Sequence, residues 1–426
     1  MGMVDTIAAL LRRRRVERGV LGLVFALTAA TSFVVTTAPR LFSNAADAGI
    51  RHAISEATAA QGSLEFQAFA QIGSASTSPM GSVETRGKAL LGSLPASLKP
   101  LVGDTQYVVD TARVALSAPP NFATTVSFRI ASAIDEETTI VEGRRPARVD
   151  APGAEDQPIR ARVDAPGAED QPIHLEIAIS EASAVTTLLR VGETYVAHLD
   201  PTDPLRRSFF PRPSSSIEIT VVGIYSINDR TAAYWFDDTK AVEARIGGTT
   251  EHPIAFVTAL IAPDAYPILL GEGQTSWRIP IDARQIDAGQ LEALVPDLRQ
   301  MALSYPSTTR DSTVALRTGL SGIIGRFQAQ EQAAGAALSV AALGPLSVAA
   351  GAIGSVAVLI IRRRRPEILL ARSRGASSLQ LLVTQVTEGV LVTVPAATLG
   401  ATAGFLVVPA RSEPAAIIGA GLVAAA

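Results

Sequence analysis

The stretch GVLGLVFALTAATSFVVTTA, Gly19 to Ala38, decides how this chain is read, because it contains not one ionisable side chain. As a helix it covers about 30 Å, the thickness of a bilayer's hydrocarbon core. Arg12, Arg13, Arg14, Arg15 and Arg18 precede it, and Pro39-Arg40 closes it. A basic start before an apolar run is also how a secretory signal begins. The apolar region of a signal runs to about 7–15 residues, however, and here Pro39 directly follows the one small-residue cleavage position, so the pattern favours an uncleaved anchor.

Outward from that anchor, the apolar residues of the chain collect toward its two ends. Ala333 to Ile361 is a second and longer run, again without charge, with Gly344-Pro345 near its middle where a kink is expected. Arg362, Arg363, Arg364 and Arg365 follow at once. A third span, 388–410, comprises Glu388 and the uncharged run Gly389 to Ala410, with Arg411 behind it. Glu388 falls at the interface, where water reaches it, and is read as plain flanking charge. Ala415 to Ala426 starts a fourth run. As a helix it would cover about 18 Å, too little to span, and it is expected to be the beginning of an incomplete helix.

The arginines orient these runs. Residues 1–18 carry a net charge of +3, residues 362–387 carry +5, and residues 39–332 carry −10. The positive-inside rule puts both basic segments in the cytoplasm and the long acidic segment outside. The expected order is a cytoplasmic N-terminus (1–18), transmembrane helix 1 (19–38), an external domain (39–332), helix 2 (333–361), a cytoplasmic loop (362–387), helix 3 (388–410) and the partial helix 4 (415–426). A composition of 47% hydrophobic and 18% charged residues, against about 25% charged in soluble proteins, argues against a simple cytoplasmic enzyme. With no cysteine, the chain has no disulfide framework, thiolate metal site or thiol nucleophile. The acidic external segment makes nucleic acid an unfavourable partner.

Within the external segment the periodicities are mixed. Leu64, Phe66 and Ala68 alternate with polar residues as a half-buried strand does, and so do Val126, Phe128, Ile130 and Leu175, Ile177, Ile179. Ile217 to Tyr225 reads as a longer strand. Leu291, Leu294, Val295, Leu298 and Met301 have helical spacing, with Asp287 as the expected N-cap. A separate amphipathic helix is expected around Asn44 to Ala60. The segment ARVDAPGAEDQPI occurs twice, at Ala147 to Ile159 and Ala161 to Ile173. Two copies rich in Pro, Gly and acid read as a duplication within a surface loop, not as a solenoid.

Chemistry-bearing patterns are sparse. His52, His174, His198 and His252 form no HxxxH or HxH pair, so no metal site is expected. No nucleophile elbow occurs, and no catalytic residue is assigned. Gly81 to Lys88, GSVETRGK, has one residue too many between its glycines for a phosphate loop, and Ala89 stands where Ser or Thr should bind magnesium. Tyr234-Trp235-Phe236 before Asp237-Asp238 could stack on a sugar; a turn after a buried aromatic strand is the favoured reading.

The most informative segment is cytoplasmic: Arg365-Pro366-Glu367-Ile368-Leu369-Leu370-Ala371-Arg372-Ser373-Arg374-Gly375-Ala376-Ser377. Pro366 suits a first helical turn, Gly375 a C-cap, and Ser377 or Ser378 the cap of the next helix. A short basic amphipathic helix is expected there, able to lie in the lipid interface or to dock on a cytoplasmic protein.

Here the chain resembles the FtsX-like permease family, including MacB-type exporters and lipoprotein-release permeases. Glu367, Arg372, Gly375 and Ala376 fall on that family's loop pattern, while Pro366 stands where a charged residue is more usual. Ile177 to Val196 (IAISEASAVTTLLRVGETYV) is similar to the family's strand, helix and "VGDT" turn. Val221 to Trp235 is similar to its "VVGIY" strand, and Val141-Glu142-Gly143-Arg144 to its "VEGR" turn. The resemblance implies a membrane protein with transmembrane helices and a large α+β external domain of the MacB-like core type. It further implies an ABC-type permease that has no cofactor of its own. ATP would be bound by a separate ATPase, expected as a dimer, contacting Glu367, Arg372, Arg374, Gly375 and Ala376. Membrane lipid and a second permease half, or a second copy, are the other implied partners. Leu316, Leu320, Ile323 and Phe327 offer an apolar stripe for a helix carrying motion to the external domain. Competing readings are a membrane-anchored receptor or adhesion module without an ATPase, and a tethered external hydrolase.

Overall fold

The computed structural model describes residues 18–71, 79–147, 173–198, 216–265, 272–305, 314–373 and 377–409. Two compact units emerge: one from Met1–Ile50 and Arg326–Ala426, whose described residues are mostly helical, and a mixed α/β one from Arg51–Gly325.

The α/β unit is built on eleven strands among the described residues: β1 (Leu64–Gln71), β2 (Gln106–Ser117), β3 (Ala123–Ala131), β4 (Thr138–Gly143), β5 (Ile173–Ser180), β6 (Thr194–His198), β7 (Ser216–Ile227), β8 (Arg245–Gly248), β9 (Pro253–Leu260), β10 (Glu272–Ile279) and β11 (Ala315–Arg317). Six of them close a ring, β2-β3-β9-β5-β7-β6 and back to β2. Closure depends on two long strands that change partner partway. The first half of β2 pairs with β10 and its end with β6; a register shift between Asp110 and Arg113 lies between. A bulge adds the local bend and twist that a closing sheet needs. Likewise β7 pairs with β6 over Ser216–Thr220 and with β4 over Gly223–Ile227. Beyond the ring, β10, β1 and β11 extend one edge as an antiparallel sheet.

The alternation read from sequence is realised in this core. Leu64, Phe66 and Ala68 are buried, as are Val126, Phe128, Ile130, Leu175, Ile177 and Ile179. Each large side chain among them contributes about 1.5–3 kcal/mol by leaving water. The expected strand at Ile217 to Tyr225 is β7.

Seven α-helices occur among the described residues: α1 (Arg18–Ser55), α2 (Pro79–Ser93), α3 (Ile134–Glu137), α4 (Glu181–Thr187), α5 (Leu291–Ser304), α6 (Leu320–Ser373) and α7 (Ser378–Val407). In α5 the residues Leu291, Leu294, Leu298 and Met301 are buried as the spacing predicts. The expected cap is displaced: Asp287 opens a 3₁₀ turn, Ala288–Gln290, and its carboxylate meets Arg51 instead. Gly81 to Lys88 lies inside α2, which rules out a phosphate loop there. Gly87 is needed where it stands, since a Cβ would come within 2.9 Å of Trp277 Cδ1. Trp277 Nε1–H donates to the Val83 carbonyl at 2.9 Å.

Three expected boundaries are corrected. Pro39 does not end the first helix; α1 runs 38 residues through it, and the amphipathic segment expected as a separate helix is its last part, burying Ala46, Ile50 and Ile54. One lost hydrogen bond is a small cost to so long a helix. The second run and the start of the cytoplasmic loop form one continuous helix, the 54-residue α6, so Pro366 starts nothing. Leu316 is not on that helix but on β11, paired with β1; Leu320, Ile323 and Phe327 are helical and buried.

In the helical unit, α1 and α7 run parallel. Ser32 Oγ donates to the Ala397 carbonyl at 2.9 Å, and Arg40 Nη1 to the Val408 carbonyl at 2.9 Å. Thr28, Ser32 and Thr36 of α1, one turn apart, are buried. Facing them are Ala396, Ala397, Gly400 and Gly404; a Cβ on Gly400 would overlap the Ala29 carbonyl oxygen. Small residues let two backbones approach this closely. Among the described residues two helical stretches, Leu21–Ser55 and Gly389–Val407, are long and apolar enough to cross a membrane. The duplicated segment lies outside the described residues except for Ala147 and Ile173, as does the fourth apolar run.

Candidate functional site

Of the five loop residues singled out from sequence, two are among the described residues. Glu367 and Arg372 are on the last turns of α6, a continuous helix and not the separate short helix expected. Arg374, Gly375 and Ala376 lie outside the described residues. The next residue confirms its expected role: Ser377 caps α7, its hydroxyl accepting from Gln380 N–H at 3.2 Å while Gln380 Oε1 accepts from Ser377 N–H at 3.2 Å. This reciprocal capping box fixes the start of α7 shortly after α6 ends.

The three external motifs, far apart in sequence, meet on β7. Gly192 N–H donates to the Val221 carbonyl, Val221 N–H to the Glu193 carbonyl, and Arg144 N–H to the Val222 carbonyl, at 2.8, 3.0 and 2.9 Å. This is where β7 exchanges β6 for β4. Gly143 has φ +75° and pairs with Gly223, and a Cβ on either would overlap backbone of the other strand's segment. Gly143 and Gly223 therefore have a packing cause. From the same turn, the Arg144 guanidinium forks onto Glu176, which also accepts from Ala147 N–H, and holds the Glu176 carboxyl below its usual range.

A second constellation escaped sequence reasoning. Arg129 on β3, 2% exposed, donates to Asp110 on β2 through Nε at 2.6 Å and Nη2 at 2.7 Å, and Nη2 also reaches Asp238 Oδ2 at 2.7 Å. Arg278 on β10 reaches the same Asp238 oxygen at 3.1 Å and faces Glu65 on β1 at 3.7 Å. Two arginines and three carboxylates thus link four strands to one turn. Burial pushes the Asp238 carboxyl up, but Arg129, Arg278 and Lys240 outweigh it and hold its pKa below the usual value. Tyr234 beside it is pushed up by burial. Asp238 is accordingly ionised and fully engaged at neutral pH, which suits holding the turn in place.

That turn is the aromatic segment. Tyr234 and Trp235 lie on a 3₁₀ turn, Ala233–Trp235, not on a strand, and all three aromatics are buried. Phe236 and Asp237 both adopt left-handed backbone, φ +50° and +56°. For a bulky residue such as Phe236 this costs about 1–3 kcal/mol. The Arg278 guanidinium lies 5.2 Å from its ring, and Asp237 Oδ2 accepts from Ala60 N–H at 3.1 Å. The strained turn forms one wall of a half-open cleft of about 420 Å³, whose other walls are residues 54–63 and 280–283.

Sequence alternation could not flag the two arginines, because Arg129 sits between Phe128 and Ile130, and Arg278 between Trp277 and Ile279, where a polar residue reads as solvent-facing. The turn covers that face of the sheet. Among the described residues no group of three or more His, Asp or Glu side chains is placed to hold a metal ion. No protein-family model matches the chain, and no curated protein matches it.

Proposed function

We propose that the chain is the permease subunit of an ABC-type transport or mechanotransmission system, embedded in the plasma membrane with its N-terminus cytoplasmic and its α/β unit outside. The observation that carries the reading is α6: one uninterrupted helix of 54 residues, about 80 Å long. It exceeds a bilayer core by about 50 Å. Its first residues, Leu320 to Gly325, belong to the α/β unit, and its end carries Arg362 to Arg365, Glu367 and Arg372. In this reading, displacement at the basic end is carried along the continuous helix toward the α/β unit. The helix directions fit the topology as well. With α1 running outward, α7 runs parallel to it and outward, while α6 runs antiparallel: Phe327 meets Gly49 and Gly335 meets Phe42.

In this reading the ATPase is a separate chain that engages the α6–α7 junction at Glu367, Arg372, Arg374, Gly375 and Ala376. The external unit then acts on a lipid, lipoprotein, peptide or cell-wall partner. The test is purification of the tagged chain from its native membranes in mild detergent, with and without Arg374→Glu. A stoichiometric ATPase that co-purifies with wild type and is lost from the variant supports the proposal. A preparation free of ATPase in the presence of nucleotide overturns it in favour of a membrane-anchored receptor.

A further inference from the structure

The cleft beside the strained turn has features of a ligand site that the permease reading does not use. Its volume, about 420 Å³, lies in the range of small-molecule sites and has room for about fourteen waters. The lining divides by chemistry. Ile54, Val242 and Ile281 supply apolar wall, and the hydroxyls of Thr58 and Thr239 supply hydrogen-bonding groups. Two charges of opposite sign remain, Arg230 and Asp237. Arg230 is exposed and forms no ion pair among the described residues. Asp237 is exposed too; Oδ2 takes the Ala60 N–H, and Oδ1 has no protein donor among the described residues. The deeper charges are already consumed: Asp238 is bound by two arginines.

We infer that this cleft binds a short zwitterionic peptide, of about dipeptide size, with its carboxylate on Arg230, its ammonium on Asp237 and its side chains against the apolar wall. A guanidinium fork matches a carboxylate, and a free carboxylate oxygen accepts from an ammonium. A purely anionic ligand, such as a lipid phosphate, would meet the Asp237 charge at the same opening and is disfavoured. The turn that carries both Asp237 and Phe236 in left-handed conformation is held by the buried arginines, so Asp237 is presented in one fixed position and the ligand need not order it. This inference stands on the cleft alone and does not depend on an ATPase.

The test is calorimetric titration of the detergent-solubilised full chain, without any ATPase, using leucyl-leucine, its N-acetyl derivative and its C-terminal amide. Saturable binding of the free dipeptide is expected, weakened about tenfold or more by blocking either end. Arg230→Gln should weaken the free dipeptide to the level of the amide while leaving amide binding unchanged. Asp237→Asn, which keeps an acceptor for Ala60 and tolerates the left-handed backbone, should do the same for the acetylated form. Absence of saturable binding by wild type, equal binding of all three probes, or variants that bind like wild type would each overturn the inference. Matched unfolding midpoints establish that the variants are folded.

Discussion

Removing one carboxylate, Asp238→Ala, gives the sharpest check on how the α/β unit is held together. Arg129 is 2% exposed and keeps two bonds to Asp110, at 2.6 and 2.7 Å. Arg278 is worse placed, since its remaining carboxylate, Glu65, is 3.7 Å away, its Nη1 reaches the Trp235 carbonyl only at 3.5 Å, and its Nε has no hydrogen-bond partner. Stranding a buried charge costs about 3–5 kcal/mol; because Arg129 retains Asp110, about 3 kcal/mol is expected. The readout is clean: the only tryptophans of the chain, Trp235 and Trp277, are both buried in the α/β unit, so fluorescence in a urea titration follows that unit alone. For a unit this size m is about 3 kcal/mol/M, and the midpoint should fall by about 1 M. Asp135→Asn, which breaks an ion pair to Arg145 whose Asp135 side chain is 72% exposed, should cost no more than about 1 kcal/mol. The sign with pH follows from the depressed pKa of Asp238. Its contribution is complete above the unfolded value of about 3.9 and is lost as pH falls through the lower folded value, so the deficit of the variant should be constant near neutrality and shrink below about pH 3.9. If Asp238→Ala lowers the midpoint no more than Asp135→Asn, the buried relay does not hold the turn and the reasoning fails.

Two further experiments test the other contacts. Gly223→Ala places a methyl against the Arg144 backbone, which cannot give as a flexible side chain would, and should destabilise the α/β unit by about 1–3 kcal/mol in the same titration; an unchanged midpoint would refute the convergence of the three motifs on β7. In the helical unit a Cβ on Gly404 would lie 3.1 Å from that of Thr36, so Thr36→Cys with Gly404→Cys should crosslink on oxidation in membranes, free of background because the chain has no native cysteine. Adding Gly400→Val, which collides with the Ala29 backbone, should reduce that crosslink severalfold; equal crosslinking would show that α1 and α7 do not pack on their small residues.

Strands were the most legible elements, because a half-buried strand imposes a two-residue period whatever surrounds it. Leu64, Phe66 and Ala68 needed no neighbour to be identified. Helix ends were read less well, because the rules for Pro39 and Pro366 weigh one hydrogen bond, whereas α1 and α6 are stabilised along 38 and 54 residues. Leu316 shows the converse error: its spacing from Leu320 is helical, yet pairing with Phe66 on β1 takes it into the sheet. At the cap of α7 local chemistry sufficed, since Ser377 and Gln380 satisfy each other without outside help. The relay and the cleft were invisible for the opposite reason. Asp110, Arg129, Asp238 and Arg278 are distant in sequence, and each alone reads as an exposed charge.

Among the described residues the helical unit is packed unevenly. Between α1 and α7 there is no clearance: the backbones touch at Gly400, Ser32 and Arg40 bond across the interface, and Arg40 lies 3.7 Å from the Phe405 ring centroid. Such a pair has no room to slide without breaking these hydrogen bonds. Along α6 the small residues are similarly frequent, but among the described residues a Cβ at Gly344, Gly351 or Gly354 would meet nothing within 4 Å, and the glycine contacts with α1 are confined to its early turns, at Phe327 and Gly335. In a system driven from the α6–α7 junction, α1 and α7 would therefore act as a fixed frame and α6 as the element displaced against it. In the proposed permease that leaves α6 as the helix to be displaced, and like α1 it continues into the α/β unit.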